Sequence, residues 1–144
     1  MVDTYNKILV ALDGSVEAEK AFDEAVTVAL RNQATLILVS IINDVELSVS
    51  SYAYSKLFVD EKEKIEHEMV KKVQQATHAG VITVQSIVEV GNPKKYIAHT
   101  VPEEAGIDLI VIGATGKGAL TRALVGSTTQ YVVNHAPCNV LVVK

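Results

Sequence analysis

Five short apolar runs, each separated from the next by a helix-forming stretch, constrain this chain more than any other feature of its sequence. The runs are Tyr5–Leu12, Thr35–Ile42, Val81–Val90, Ile107–Ile112 and Asn139–Val143. Most are nearly unbroken, the form of strands covered on both faces, whereas Val81–Val90 alternates in part and reads as nearer a sheet edge. Between them, Ala18, Ala21, Phe22, Ala25, Val28 and Ala29 repeat at three and four, as do Phe58, Ile65, Met69, Val73 and Ala76 farther on. That spacing puts the apolar groups of each segment on one helical face. Ile97, Ala98 and Val101 mark a shorter helix, and Thr128 to Asn134 another. Strict alternation of strand and helix predicts an α/β fold: a single doubly wound domain, with a five-stranded parallel sheet and helices on both faces. Right-handed crossovers leave few strand orders, and 3-2-1-4-5 places a topological switch point between strands one and four.

Local punctuation agrees with these boundaries. Asp13-Gly14-Ser15 stops the first run, Ser15 is placed to cap a helix ending near Arg31-Asn32, and Glu17 and Glu19 suit its positive end. Asn92 and Pro93 fit a cap and first helical position, Gly80 and Gly106 close helices, and Ala136-Pro137 ends the last one. A long helix is expected from Lys56 to Ala79, with Asp60/Lys64 and Glu68/Lys72 as i,i+4 pairs on a solvated face. Asn43 to Ser55 has no clear period and reads as a long loop, either a lid over a site or a plain link.

The segment after the fourth run, Gly113-Ala114-Thr115-Gly116-Lys117-Gly118 and on to Gly126-Ser127-Thr128, carries the chemistry. Glycines permit close backbone approach and positive φ, and the unpaired N–H groups of a following helix attract anions. Ser127 and Gln130 have the spacing of a capping box. Phosphate is the expected guest, with Lys117 and Arg122 available to offset its charge. The alternative is that the glycines serve only a turn, Ser127 only a cap, and the two cations only the solvent. The P-loop pattern fails at Ala119-Leu120 and the dinucleotide pattern fails at Thr121. Asp13-Gly14-Ser15 ends strand one at the same switch point, which brings two distant segments to one place.

A formal net charge of −4 argues against general attraction to nucleic acid or an anionic membrane surface, so an anionic ligand needs a local site. At 144 residues the chain suits one domain. No apolar run reaches membrane-spanning length and no secretory leader opens the chain. With the lone Cys138 these point to a cytoplasmic protein. His67, His78, His99 and His135 lack metal-ligand spacing, and Cys138 reads as packed and inert. No nucleophile–base pair and no paired carboxylates emerge, so no catalytic residue is assigned.

At these residues the chain resembles the universal stress protein family. The likeness spans Lys7 to Ser15, Gly91-Asn92-Pro93, the glycine segment and the closing Pro137 to Val143. Its specific part is G-x2-G-x9-G-(S/T), met by Gly113, Gly116, Gly126 and Ser127, which within the family marks the ATP-binding branch. The resemblance implies that Gly113 and Gly116 pass close to ribose and phosphates, and that Gly126, Ser127 and Thr128 donate to phosphate. It also implies that Asp13 lies near ribose or a phosphate-bound Mg²⁺, and that the Ile41 backbone meets the adenine edge. The chain departs from the family just before Asp13, where Ala11-Leu12 stands in place of a Pro or Thr.

By the same resemblance, the C-terminal strand pairs with its copy in a homodimer, the alternative being burial under its own helices. The expected function is a dimeric, ATP-responsive regulatory module in stress response, in which the Asn43–Ser55 loop orders on binding and alters the surface offered to a partner protein. Two rivals stand beside it. One is a slow ATPase or phosphotransferase using Mg²⁺ held by Asp13 and Ser127, the other a ligand-free dimeric scaffold.

Overall fold

The computed structural model describes residues 4–43, 51–116 and 125–144. Its strands are β1 (Lys7–Ala11), β2 (Thr35–Asn43), β3 (Val84–Gly91), β4 (Leu109–Gly113) and β5 (Asn139–Val143). They form one sheet in the order β3-β2-β1-β4-β5, and every pair is parallel. The expected fold class and strand order are therefore observed. The helices are α1 (Val16–Asn32), α2 (Ser51–Ala79), α3 (Pro93–Lys95), α4 (Val101–Ala105) and α5 (Ser127–His135), with a π-helical turn, Tyr96–Thr100, joining α3 to α4. Pro102, two residues past that turn, has no N–H to continue an α-helical ladder, and Val101 N–H bonds to Tyr96 C=O five residues back.

The sheet separates two apolar cores. Ile8, Val10, Leu36, Leu38 and Val111 pack with Ala21, Phe22 and Ala25 of α1 and Met69 and Ala76 of α2. Leu9, Ile37, Val39, Ile110 and Ile112 face the other way, against Ile97, Ala98, Val101 and Val132. Alternation of side chains along each strand produces this division, and burial on both sides explains the unbroken apolar runs. Phe58 is half-buried, so the inward face of α2 is anchored chiefly by Met69 and Ala76.

Several expected boundaries move. Residues 81–83 are not strand: Val81 is buried and sends its N–H back to Ala76 C=O, which finishes the helix, while Ile82 is 88% exposed. Ser51 to Ser55 belongs to α2 rather than to a loop, because a helix whose later turns are packed propagates into a turn with no apolar period of its own. The expected loop Asn43–Ser55 loses both ends to regular structure, Asn43 to β2 and Ser51–Ser55 to α2, and residues 44–50 lie outside those described. Lys72 turns away from Glu68 to pair with Glu19 of α1, its ammonium lying over the Phe22 ring. Asp108 takes the N–H groups of Asn6 and Lys7 at 2.8 and 3.1 Å, tying the entry of β1 to that of β4.

Leu38 is fully buried in the central sheet. Leu38→Ala is expected to lower unfolding free energy by roughly 2–5 kcal/mol in urea titration, against less than about 0.5 kcal/mol for Ile82→Ala. Equal effects would contradict the two-core description.

Candidate functional site

A cleft of about 600 Å³ opens beyond the carboxyl ends of β1, β2 and β4. Crossovers through α1 and α2 take the chain to one face of the sheet, and those through α3–α4 and α5 take it to the other. The connections leaving β1 and β4 therefore diverge, and the gap between them becomes a crevice. Asp13, Ile41, Gly113, Gly116, Gly126, Ser127 and Thr128, all singled out above, line it. Lys117 and Arg122 lie outside the described residues.

At one end of the cleft, α5 begins. The capping box expected from Ser127 and Gln130 does not form. Gly126 is the cap residue, it makes no side-chain capping bond, and Ser127 is already the first helical residue. The first bond within the helix is Gln130 N–H to Gly126 C=O at 2.9 Å. The N–H groups of Ser127, Thr128 and Thr129 thus have no partner inside the helix, and an end of this kind attracts anions. Gly126 is not a donor to this space, since its N–H is taken by Ala114 C=O at 2.6 Å. That bond closes the segment onto β4 and aims the helix.

The motif glycines are needed for room rather than for backbone angle. Gly113, Gly116 and Gly126 are absent from the residues with positive φ, whereas Gly14 in the Asp13-Gly14-Ser15 turn has φ 84°. A Cβ on Gly113 would lie 2.9 Å from the backbone carbon of Glu17, so this glycine lets α1 pack against β4; it does not primarily admit a ligand. A Cβ on Gly116 would lie 2.6 Å from Asp13 Oδ2. Gly116 therefore leaves space for the Asp13 carboxylate, whose Oδ1 accepts the Ser15 N–H at 3.0 Å. Ser15 caps α1 as expected, accepting the Ala18 N–H at 3.1 Å. Two motifs about a hundred residues apart in sequence meet at one carboxylate.

The other end lies over β2. Thr35 N–H bonds to Asn6 C=O and Leu36 N–H to Thr83 C=O, so odd-numbered residues of β2 direct their amides toward β1 and even-numbered ones toward β3. Among the described residues the last rung toward β1 is Leu12 N–H to Val39 C=O at 2.8 Å. Ile41 follows past the end of β1 and turns its N–H and C=O into the cleft. Apolar walls flank it, with Ile42 and Ile65 on the α2 side and Pro93 and Ile97 on the other. The two ends are two strand spacings apart, about 10 Å.

The sequence did not reveal four further contributors. Thr129 is buried and donates its hydroxyl to Gly113 C=O at 2.6 Å, bolting α5 to the end of β4. Its place just after the motif was its only signal. Buried Ser40 lines the cleft from β2, and Glu61 and Ile65 reach it from α2. The described lining holds two carboxylates, Asp13 and Glu61, and no Lys, Arg or His. No group of three or more His, Cys, Asp or Glu side chains is arranged to hold a metal among the described residues. Away from the cleft, burial and then the nearby Asp108 charge push the Cys138 thiol up from its ordinary pKa, which disfavours the reactive thiolate. His99 Nε2 meets the Tyr131 hydroxyl at 2.9 Å.

Residues 4–144 match the model of the universal stress protein family. The chain belongs to that family. A universal stress protein of Staphylococcus haemolyticus is 45% identical over 143 residues, covering 98% of this chain and 86% of its own length. The structure of universal stress protein UspA from Lactobacillus plantarum superposes with a TM-score of 0.90 at 36% identity, covering 99% of this chain and all of that one. The same fold recurs at 24% identity in a universal stress protein crystallised with cAMP, with a TM-score of 0.76 and 99% coverage of both chains.

In this universal stress protein, then, the motif glycines divide their work: Gly113 seats a helix, Gly116 a carboxylate, and Gly126 a turn. Gly113→Ala is expected to cost roughly 1–3 kcal/mol of stability in denaturant unfolding, because the Glu17 backbone must move. A change below about 0.5 kcal/mol would remove Gly113 from the α1 contact.

Proposed function

We propose that this chain, folded as a single domain over residues 1–144, is a nucleotide-responsive regulatory module of the stress response that binds ATP with Mg²⁺. The observation that carries this reading is the pairing of unlike ends in one cleft. Helix amides without an intrahelical partner, with the Ser127 and Thr128 hydroxyls, offer donors to phosphate at one end. At the other, the Ile41 amide and carbonyl between apolar walls offer a donor–acceptor pair to the edge of a flat heterocycle. Adenine presents the complementary pair, a ring acceptor beside an amino donor. A crystallised protein of the same fold holds cAMP, which supports an adenine nucleotide as the guest.

A divalent cation fits the same account. The described lining is anionic, and a polyphosphate brings further negative charge. The Asp13 carboxylate and Ser127 hydroxyl are the hard oxygen ligands that would hold Mg²⁺, which would offset phosphate charge and orient the chain of phosphates. Lys117 and Arg122 would add to that balance. Binding, rather than turnover, is the role these residues support, because no nucleophile–base pair is assigned among the described residues of the cleft.

Calorimetry with ATP and Mg²⁺ is expected to give saturable one-site binding, weakened at least tenfold in Asp13→Ala and in Gly126→Val, whose bulk would press on Ala114 and Thr115. Wild-type protein that binds no adenine nucleotide would end this reading in favour of the ligand-free scaffold. Phosphate release abolished by Asp13→Ala would favour the slow ATPase.

The functional unit is proposed to be a cytoplasmic homodimer joined through β5, presenting its nucleotide state to a regulatory partner protein. Val143 C=O accepts the Ala114 N–H on the β4 side, so Val140 and Val142 direct their amides away from the sheet. Such an apolar edge invites a second strand. Val142→Pro removes one outward N–H and leaves the β4 ladder whole, and it is expected to shift the protein to a monomer in sedimentation equilibrium. A dimer of unchanged affinity would place the contact elsewhere.

A further inference from the structure

Glu61 stands out among the residues around the cleft. It is half-buried, lines the same space as Ile41, and makes no hydrogen bond or ion pair among the described residues. Carboxylates on long helices ordinarily face water, and the neighbouring Lys62–Glu66 pair does so. Glu61 is instead one helical turn before Ile65, whose side chain packs onto the core under α2. The two therefore share the inward face of the helix.

Position along the sheet decides what Glu61 can serve. α2 packs over β2 and β3, while the phosphate-facing donors lie beyond β4. Glu61 accordingly lines the β2 end of the cleft, on the α2 side with Ile42 and Ile65, in the same space as Ile41. Asp13 is held toward β1 by the Ser15 N–H and the space at Gly116, so the two carboxylates serve different ends of the cleft.

We infer that Glu61 is a base-specificity residue, whose carboxylate accepts a hydrogen from the exocyclic amine of a purine held against Ile41. The inference rests on the nucleotide reading above and deepens it. A six-amino purine carries two amine hydrogens. The Ile41 carbonyl takes the one beside the ring nitrogen, and Glu61 takes the other. A six-oxo purine would turn a carbonyl oxygen toward the carboxylate, and two acceptors with no hydrogen between them repel. The main-chain pair at Ile41 already favours adenine, and Glu61 adds a charge-assisted bond that only the amine can make.

The test compares ATP with purine riboside triphosphate, which lacks the amine and is otherwise alike, by calorimetry in Mg²⁺ on the wild type, Glu61→Ala and Glu61→Gln. Removing a negative charge from the cleft strengthens both nucleotides, and that gain cancels in their ratio. The wild-type preference for ATP is expected to fall about tenfold in Glu61→Ala, with part of it kept in Glu61→Gln, which retains an acceptor oxygen. Matching unfolding midpoints of the three proteins exclude loss of fold. An unchanged ratio in a wild type and variants that bind both nucleotides would overturn the role of Glu61 and leave the nucleotide reading standing. A wild type that binds neither nucleotide would overturn both.

Discussion

The rest of the structure depends on β1 ending before its neighbours do. β1 stops at Ala11, its last rung is made by Leu12, and β2 continues to Asn43 and β4 to Gly113. With β1 gone, the Ile41 amides lose a strand to bond and face open space, and the Asp13-Gly14-Ser15 turn lies on its floor. In a sheet whose central strands are buried on both faces, polar main-chain groups of this kind occur only at strand ends. The cleft is the region in which the ladder is deliberately incomplete, and its chemistry is largely that of unused backbone.

Holding that gap open requires close tolerances around it. Gly113 admits α1 against β4, and Thr129 ties the first turn of α5 to the Gly113 carbonyl. The bond from Gly126 N–H to Ala114 C=O turns the chain so that the start of α5 points back over the sheet. None of these groups needs to touch a ligand. They set where the helix amides and the Asp13 carboxylate lie, and a misplacement of one ångström would separate donors that must act together. Packing thus accounts for small residues at Gly113 and Gly116 although neither has unusual backbone angles, and on the proposed function the same contacts would couple stability to binding.

Charge follows a similar logic. The molecule is acidic overall and the described cleft lining contains carboxylates without cations. Long-range attraction would not draw a polyanion into it. In the proposed reading, recognition of a polyanion would come from short-range donors and from any cation that accompanies its phosphates.

Much of this was legible in the sequence, because it depends on local periodicity. Unbroken apolar runs between helical repeats indicated a parallel sheet covered on both faces, and right-handed crossovers left few strand orders, 3-2-1-4-5 among them. The spacing from Gly113 to Ser127 marked the family, and Asp13 and Gly116 were both singled out, although not their contact. Tertiary structure alone decided the rest. Ser127 lost its capping role because the chain enters the helix one residue earlier, a matter of how Gly126 bonds to Ala114. Ser51–Ser55 joined a helix whose packed turns lie farther along. Glu61 entered the cleft only because α2 crosses β2 and β3, and no spacing in a linear chain records which distant helix face will close over a strand end. Periodicity reports which way a side chain faces, and only the packed fold reports what it faces.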